Sequence, residues 1–193
     1  MAGMAKQDSN IPDLSSALVG ARSLLGWKLV HDSIEGRTSG YIVETEAYDE
    51  HDPASHAFGG IRKRNAAMFE AAGTIYVYFT YGMHYCMNIV TGDKGLGQGV
   101  LIRALQPLEG LDIMQRRRGI ESKHQLTNGP AKLTQAMGVT KQNYGQSIFH
   151  GDIYLEPGIP ALSVVQTTRI GISKAKELPW RFYLADNPYV SRI

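Results

Sequence analysis

The most strongly β-forming part of the chain is the segment of residues 74–90. β-branched and aromatic residues dominate this segment on both sides of Gly82. A glycine between two β-forming runs favours a sharp reversal, so the segment predicts an antiparallel hairpin with Tyr81 beside its tip. Any fold for this chain has to contain that hairpin.

Strand patterns outnumber helical patterns in the rest of the chain. Further strands are predicted in residues 28–31, 40–46, 99–105, 153–155, 161–165 and 180–184. Helices are predicted from Leu14 to Leu25 with Asp13 as the cap, from Pro107 to Gly119, and from Asn128 or Pro130 to Gly138. Because strands and helices do not alternate, we expect an α+β domain with a mainly antiparallel curved sheet, a protruding β-hairpin and peripheral helices.

The composition is that of an ordinary globular protein. The chain has 193 residues, of which 43% are hydrophobic and 20% charged. We expect one domain over residues 13–193 after a flexible N-terminus of residues 1–12. The single cysteine, Cys86, excludes an intramolecular disulfide and a cysteine-rich zinc site. The first ten residues lack the apolar run of a signal peptide and no stretch is long enough to span a bilayer, so a cytoplasmic location without a membrane partner is expected.

Two basic clusters are candidates for contact with an anionic partner. The formal net charge of +2 permits nucleic acid binding without requiring it, so the distribution of charge matters more than the sum. Arg62, Lys63 and Arg64 follow two glycines in a predicted loop, where contact with DNA phosphates is a hypothesis. The three arginines of residues 116–118 fall in the last turn of a predicted helix, where they would also complement the helix dipole.

Two carboxylates lie close together on a predicted strand. Residues two apart share a strand face, so Glu44 and Glu46 would lie on one side together with Tyr48. The face is either an exposed one with solvated acids or a site that uses carboxylate chemistry. With His51 and His56 from the following loop the acids would make a metal site, but the spacing matches no standard zinc pattern. Carboxylate chemistry without a metal is therefore favoured.

Tyrosines are concentrated in the predicted hairpin. Tyr76 and Tyr78 share one face, Tyr81 lies near the turn and Tyr85 follows it. Tyrosine favours strands, so simple sheet packing accounts for them. They equally suit a protein that extrudes a nucleotide base, which needs a flat surface for the base and a wedge to fill the vacated stack. The pattern alone leaves both interpretations open.

Nine motifs along the chain resemble those of one enzyme family. They are residues 42–48 (IVETEAY), 53–56 (PASH), 64–69 (RNAAMF), 73–83 (GTIYVYFTYGM), 86–89 (CMNI), 101–110 (LIRALQPLEG), 129–133 (GPAKL), 169–171 (RIG) and 181–183 (RFY). In kind and order they are similar to the alkyladenine (3-methyladenine, methylpurine) DNA glycosylases. The resemblance covers nearly the whole chain from the first predicted helix onward.

The resemblance implies a role for individual residues. Glu46 corresponds to the general base that holds the attacking water, and Arg103 and the backbone carbonyl of Ile170 would help to place that water. The remaining roles concern the DNA: Tyr48, His56 and Tyr78 would form the pocket for the flipped base, Asn88 would crowd the amino group of normal guanine, and Tyr81 would enter the minor groove.

The implied activity is the hydrolytic removal of damaged purines from duplex DNA. The substrates would be alkylated or deaminated purines such as 3-methyladenine, 7-methylguanine, hypoxanthine and ethenoadenine, and the product an abasic site. We expect a monomer that needs no cofactor or metal. We also expect no lysine in the matched motifs to form a Schiff base, and therefore no strand cleavage. Two alternatives remain: a metal-dependent hydrolase that uses Glu44, Glu46, His51 and His56, and a non-catalytic nucleic-acid-binding module.

Overall fold

One long strand, β2 (Gly36–Tyr48), runs through the middle of the fold in a computed structural model that describes residues 11–80 and 82–191. Along one side β2 pairs with β5 (Gly99–Glu109). On its other side the first part of β2 pairs with β1 (Lys28–Ser33) and residues 44–46 pair with β8 (Arg181–Leu184). The strand with the two carboxylates is therefore held by neighbours on both edges.

The other strands extend this arrangement into one sheet. Beyond β5 lie β4 (His84–Val90) and β3 (Ile75–Thr80), beyond β1 lies β6 (Ile153–Glu156), and beyond β8 lies β7 (Val164–Thr167). Within the described ranges the sheet has eight strands, and each pair of neighbours is antiparallel. The predicted α+β domain with an antiparallel sheet is confirmed, and so is the hairpin, formed by β3 and β4.

Irregular pairing between β2 and β5 curls the sheet into a half-barrel. The register shifts next to Gly40 and on both sides of Glu44. Such bulges bend a strand and increase its twist. Near the bulge Ile42 and Val43 are both fully buried in the core, so strict alternation of faces is not kept along β2.

Three helices cover the sheet in the described part of the chain: α1 (Ala17–Ser23), α2 (Leu111–Arg118) and α3 (Pro130–Met137). Thr45 donates a hydrogen bond of 2.7 Å from its hydroxyl to the backbone carbonyl of Ala21, which fixes α1 against β2. Short 3-10 helices span Ala66–Phe69, Lys123–Gln125 and Lys141–Asn143. The main core between helices and sheet includes Ala21, Leu24, Val43, Ala47, Ile89, Ile102, Leu105, Met114, Leu133 and Met137.

The first helix starts later than predicted. Its N-cap is Ser16, whose hydroxyl accepts a hydrogen bond from the backbone amide of Val19. The carboxylate of Asp13 instead accepts one from the amide of Ser15, which closes a local turn. Aspartate competes for nearby backbone amides in this way, so a cap residue is hard to tell from a turn residue in sequence.

The prediction that Pro107 opens a helix is wrong. Pro107 belongs to β5, where it pairs with Gly40 of β2 beside a register shift. A proline lacks the N–H of the ladder and is tolerated at such an irregular position. The helix α2 begins only after Gly110, which adopts a left-handed conformation with φ of 70°. Its predicted end is confirmed, because Gly119 caps it in a left-handed conformation.

The third predicted helix is confirmed from Pro130 to Met137, with Gly138 as the C-cap. Gly129, and not Asn128, takes the N-cap position. No described helix is long and apolar enough to cross a membrane. Tyr81 and residues 1–10 lie outside the described residues, so the wedge hypothesis and most of the N-terminal segment expected to be flexible remain predictions.

Substitution of Gly26 tests how closely the backbone packs beside β2. Its backbone bonds Ile42 and Ile159, its φ is 84°, and a Cβ there would lie 2.1 Å from the carbonyl oxygen of Ile159. We expect Gly26→Ala to lower the free energy of unfolding by about 3 kcal/mol or more, because it adds a backbone clash to the strain of a positive φ. Gly60→Ala is the control: Gly60 has a φ of 89° and no neighbour for a Cβ within 4 Å. It should cost only about 1–2 kcal/mol. Equal losses in urea denaturation would contradict the enclosure of Gly26.

Candidate active site

A cavity of about 720 Å³ opens where the end of β2 faces the hairpin of β3 and β4. The start of α3 and the loop of residues 170–174 complete its wall. Six of the residues assigned from the resemblance line it: Tyr48, His56, Tyr78, Asn88, Arg103 and Ile170. Residues that are far apart in the sequence are thus brought to one site.

The carboxylate of Glu46 lies behind this lining and has no solvent exposure. Its Oε1 atom accepts a hydrogen bond of 2.7 Å from the backbone amide of Ile170 and lies 3.2 Å from a guanidinium nitrogen of Arg103. Its Oε2 atom accepts one of 2.8 Å from the hydroxyl of Tyr48. Each of these three partners lines the cavity. The carboxylate is therefore fixed from three directions at the wall of the cavity.

Arg103 on β5 joins the two carboxylates of β2. Its Nε atom donates to Glu44 at 3.1 Å, and its NH1 atom faces Glu46 at 3.2 Å. Both acids therefore lie on one side of β2, as their spacing predicts. Burial lowers the pKa of Arg103, but the charges of Glu46 and Glu44 outweigh burial and raise the pKa above its ordinary value. Arg103 thus stays cationic beside both acids.

Glu44 is bound on all sides and not exposed. One of its oxygens also accepts from Arg181 at 2.7 Å and from the hydroxyl of Ser191 at 3.0 Å, and the other accepts from the amide of Ser191 at 2.7 Å. Glu44, Glu46, Arg103 and Arg181 form a buried set with two negative and two positive charges. The interpretation of the acids as a solvated surface face is therefore wrong.

Aromatic rings form the opposite wall of the cavity. Tyr76 and Tyr78 are stacked with ring centres 5.7 Å apart, and the His56 imidazole meets Tyr78 edge-on at 4.4 Å. Burial, followed by the nearby thiol of Cys86, raises the pKa of Tyr78 well above its usual range. Burial, followed by the charge of Glu46, does the same for Tyr48. Both tyrosines keep their protons, and the pocket presents neutral aromatic rings.

His56 is held by two neighbours. Its Nδ1 atom lies 3.0 Å from the hydroxyl of Tyr76. Its backbone carbonyl accepts a hydrogen bond of 2.7 Å from the side-chain amide of Asn65. The side chain of Asn65 makes no cap bond with the short helix after it and instead bonds the backbone of Arg62 and Gly60 in the loop before it. Burial and the charge of Arg64 lower the pKa of His56. The imidazole is therefore neutral near pH 7.

Asn88 lies on β4 opposite Tyr76 and is nearly buried. Its side-chain amide lies 3.5 Å from the backbone carbonyl of Tyr76, a long hydrogen bond. This contact turns one end of the amide towards β3, while the residue still lines the cavity. Asn88 thus forms part of the cavity wall at the base of the hairpin.

The four candidate metal donors are not brought together. His51 is exposed and lies nearest Glu50, while His56 contacts Tyr76, and the two acids are engaged by arginines. Among the residues that the structure describes, no three histidine, cysteine, aspartate or glutamate side chains are grouped to hold a metal ion.

The expectation that the matched motifs contain no lysine is wrong, because GPAKL includes Lys132. Lys132 and Lys174 both line the cavity. Lys132 stands in the first turn of α3 and donates to the side chain of Asn128 at 2.8 Å. The GPAKL motif already contains this lysine, but its sequence neighbours did not indicate that α3 would begin at the cavity.

The basic cluster of Arg62, Lys63 and Arg64 is exposed on the loop that follows His56. Arg64 is close enough to influence the pKa of His56, so the cluster lies near the cavity. By contrast, Arg117 of the second basic cluster is mostly buried and bound to Glu35, Ser33 and the carbonyl of Ala136. The first cluster therefore has its charges exposed to solvent beside the site.

Arg169 is the site residue that sequence reasoning missed. It stands in a matched motif, but no role was assigned to it. In the structure its side chain is fully buried against the end of β2. Its partners lie 117 and 122 residues away in the sequence, so no local pattern indicated the contact.

Comparison with known proteins gives a consistent result. Residues 14–188 match the model of the family described as Methylpurine-DNA glycosylase (MPG). A protein of Methanoculleus marisnigri is 50% identical over 177 residues, which cover 89% of this chain and 92% of that protein. Proteins of Nitrosospira multiformis and Carboxydothermus hydrogenoformans are 46% and 49% identical and cover 98% and 91% of this chain, and 96% and 93% of their own lengths. The names of all three assign them, provisionally, to the 3-methyladenine DNA glycosylases.

The buried charge set predicts a large loss of stability for Glu44→Gln. The substitution leaves Arg103 and Arg181 with one carboxylate fewer, and an uncompensated buried charge costs about 3–5 kcal/mol. Glu109→Gln is the matched control, since the Glu109 side chain is 45% exposed in its pairs with Lys28 and Arg37. It should cost below about 1 kcal/mol. Similar losses for the two variants in urea denaturation would show that the Glu44 charge is not needed.

The surroundings of His56 predict a pH effect that NMR can follow. Folding lowers the pKa of His56, so the unfolded chain binds the proton more readily. The contribution of His56 to stability is therefore complete above its ordinary pKa of about 6.5 and falls as the pH drops below that value. Arg64→Gln should raise the His56 pKa towards, but not up to, the ordinary value, because burial remains. Lys63→Gln should leave it in place. An unchanged pKa in Arg64→Gln would refute the electrostatic cause.

Proposed function

Because the chain belongs to the methylpurine-DNA glycosylase family, we propose that it removes alkylated or deaminated purines from duplex DNA with a water activated by Glu46. The observation that carries this proposal is the carboxylate of Glu46, which is held by three contacts at the wall of an aromatic cavity. The substrates would be bases of the 3-methyladenine, 7-methylguanine, hypoxanthine and ethenoadenine class. The product would be an abasic site.

The chemistry needs a fixed negative charge. Breaking the bond between C1′ and the purine nitrogen sends the bonding electrons to the base and builds positive charge on the sugar. The water oxygen bonds to C1′ and its proton passes to Glu46, whose charge also stabilises the transition state. Oε2 has one described partner, the Tyr48 hydroxyl, and so keeps capacity to accept from a water. The Ile170 carbonyl is proposed as a second acceptor for that water.

The cavity walls suit a flipped base. Tyr48 and Tyr78 present neutral aromatic rings, on which a base stacks and to which a cationic alkylated base is also attracted electrostatically. His56 is proposed to bind the edge of the base. Asn88 lines the cavity and its amide is oriented by the Tyr76 carbonyl, which supports its proposed role in excluding the extra amino group of guanine.

DNA binding would involve the hairpin and the loop beside the cavity. The turn between β3 and β4 contains Tyr81, which we propose as the wedge that replaces the flipped base in the stack. Arg62, Lys63 and Arg64 would contact phosphates, since they are exposed next to the cavity. The enzyme is proposed to act as a monomer on the duplex.

We also propose that the reaction stops at the abasic site. Strand cleavage would need an amine to attack C1′ and form a Schiff base. Lys132 lines the cavity, but its ammonium is bound by Asn128 at 2.8 Å, and Lys174 is exposed on the loop. Strand breaks should therefore appear only after hot alkali and not in the enzyme reaction itself.

Glu46→Gln tests the central step. The variant keeps the shape of the side chain, and the Tyr48 hydroxyl can rotate to accept from the new amide. Binding to lesion DNA should change little, because it depends on phosphates and stacking. Release of the base should fall by about a hundredfold or more, the usual effect of a positioned general base. Single-turnover release is followed at increasing enzyme concentrations on duplexes with one defined lesion, in EDTA, and read as alkali-labile sites. The concentration dependence gives the affinity for the DNA, and the limiting rate gives the release of the base.

The control for Glu46→Gln is Glu109→Gln, which removes a carboxylate of the same kind far from the cavity and should release bases at the wild-type rate. Glu44→Gln is unsuitable, since Glu44 binds Arg103. A folded Glu46→Gln protein with the wild-type rate would eliminate Glu46 as the base. A wild-type protein that releases no lesion of the class would contradict the proposed activity itself.

A further inference from the structure

Arg169 occupies an unusual place for a cation. Its side chain is fully buried, and its NH1 atom forms an ion pair with the buried carboxylate of Asp52. NH1 also donates to the carbonyl of Ala47 at 3.1 Å, and NH2 donates to the carbonyl of Ala175 at 3.3 Å. The guanidinium thus joins the end of β2, the loop after it and the loop that leads to β8.

The same guanidinium covers one face of Tyr48. Its central carbon lies 4.6 Å from the centre of the Tyr48 ring and 5.2 Å from that of Trp180. The hydroxyl of Tyr48 points at Glu46, and the ring lines the cavity. The planar cation therefore fixes a ring that has two roles, one towards the base and one towards the carboxylate.

The backbone reinforces this arrangement. Ile170, the next residue, donates its amide to Glu46 at 2.7 Å. A movement of Arg169 would therefore disturb two of the three contacts of Glu46. Burying an ion pair also costs free energy of desolvation, and an apolar group of similar size is often as stabilising. In the described structure the Nε atom of Arg169 is buried without a hydrogen-bond partner, which adds to that cost.

We propose that Arg169 and Asp52 form a charge-neutral clamp that positions Tyr48 for both Glu46 and the flipped base. The inference rests on the proposed function of Glu46 and the cavity. Arg169 is a positioning residue, since it acts through Tyr48 and touches no reacting atom. Asp52 has a different role, because its charge neutralises the cation behind the ring.

The neutrality of the clamp matters for the choice of substrate. An alkylated base such as 7-methylguanine carries a positive charge, whereas hypoxanthine is neutral. A base stacked on Tyr48 would have the guanidinium of Arg169 on the far side of the ring. Without the charge of Asp52, that cation would disfavour a cationic base more than a neutral one. The pair therefore allows a rigid guanidinium support without a penalty against charged lesions.

Asp52→Asn tests this proposal through a ratio of rates. The amide keeps the shape of Asp52 and can still accept the backbone amide of Ala54. Release of 7-methylguanine relative to hypoxanthine should fall about threefold to tenfold below the wild-type ratio, the effect of one unit charge at several ångströms in a partly buried site. The double variant Arg169→Met/Asp52→Asn removes both charges. It should restore the ratio, while both rates fall about tenfold because the ring is no longer positioned.

Arg117→Met is the control, because it removes a mostly buried, paired arginine away from the cavity. It should lower the melting temperature without changing the ratio, and so separates a loss of stability from a change of electrostatics. An unchanged ratio in Asp52→Asn would overturn the clamp, as would a double variant that keeps the ratio of Asp52→Asn. If the double variant does not fold, Asp52→Asn alone decides. A wild-type protein that releases neither base would overturn the proposed function and this inference with it.

Discussion

The ion pairs of Arg103 with Glu44 and Glu46 are the interaction on which the site depends. Two acids on one side of a buried strand repel each other, and each would lose hydration on burial. Arg103 from β5 and Arg181 from β8 compensate both effects from the two strands that flank β2. The strand order of the sheet therefore places a cation on each side of the acids of β2. A strand with two buried acids is stable only between neighbours that supply the cations.

This requirement places the two acids in different surroundings. Arg103, Arg181 and Ser191 bind both oxygens of Glu44, so this carboxylate stabilises the packing of the strands. Glu46 shares Arg103 but meets the cavity wall, where a residue can take part in chemistry. Two identical side chains, two positions apart, thus differ in their surroundings because of the partners that other strands bring. Tyr76 and Tyr78 both line the cavity, and Tyr76 also contacts the imidazole of His56 through its hydroxyl.

The sequence predicted the elements that depend on local patterns. The hairpin of β3 and β4, the strands β1, β2 and β8, and the end of α2 at Gly119 follow from β-forming runs and glycine positions. At Pro107 a tertiary contact overrides local preference, because a bulge keeps this residue in a strand. The error at Asp13 is local, because its side chain closes a turn instead of capping the helix. The resemblance supplied six residues of the cavity wall. Arg169 and the full burial of Glu44 could not be predicted, since their partners lie more than fifty residues away.

The contacts of the site join residues that are far apart in the sequence, and this affects the order in which the site forms during folding. The bonds that hold Glu46 and Glu44 from the far part of the chain span 124 and 147 residues. Closing such distances is slow compared with the formation of a hairpin, because loop entropy is lost before the contact is gained. A chain that has formed β1 to β5 but has not yet docked residues 169–191 would have a recognisable sheet and acids without their full set of cations. The complete set of contacts around Glu46 would then form last, and a cleaved or displaced segment near Ile170 would remove part of that set while most of the sheet stays folded.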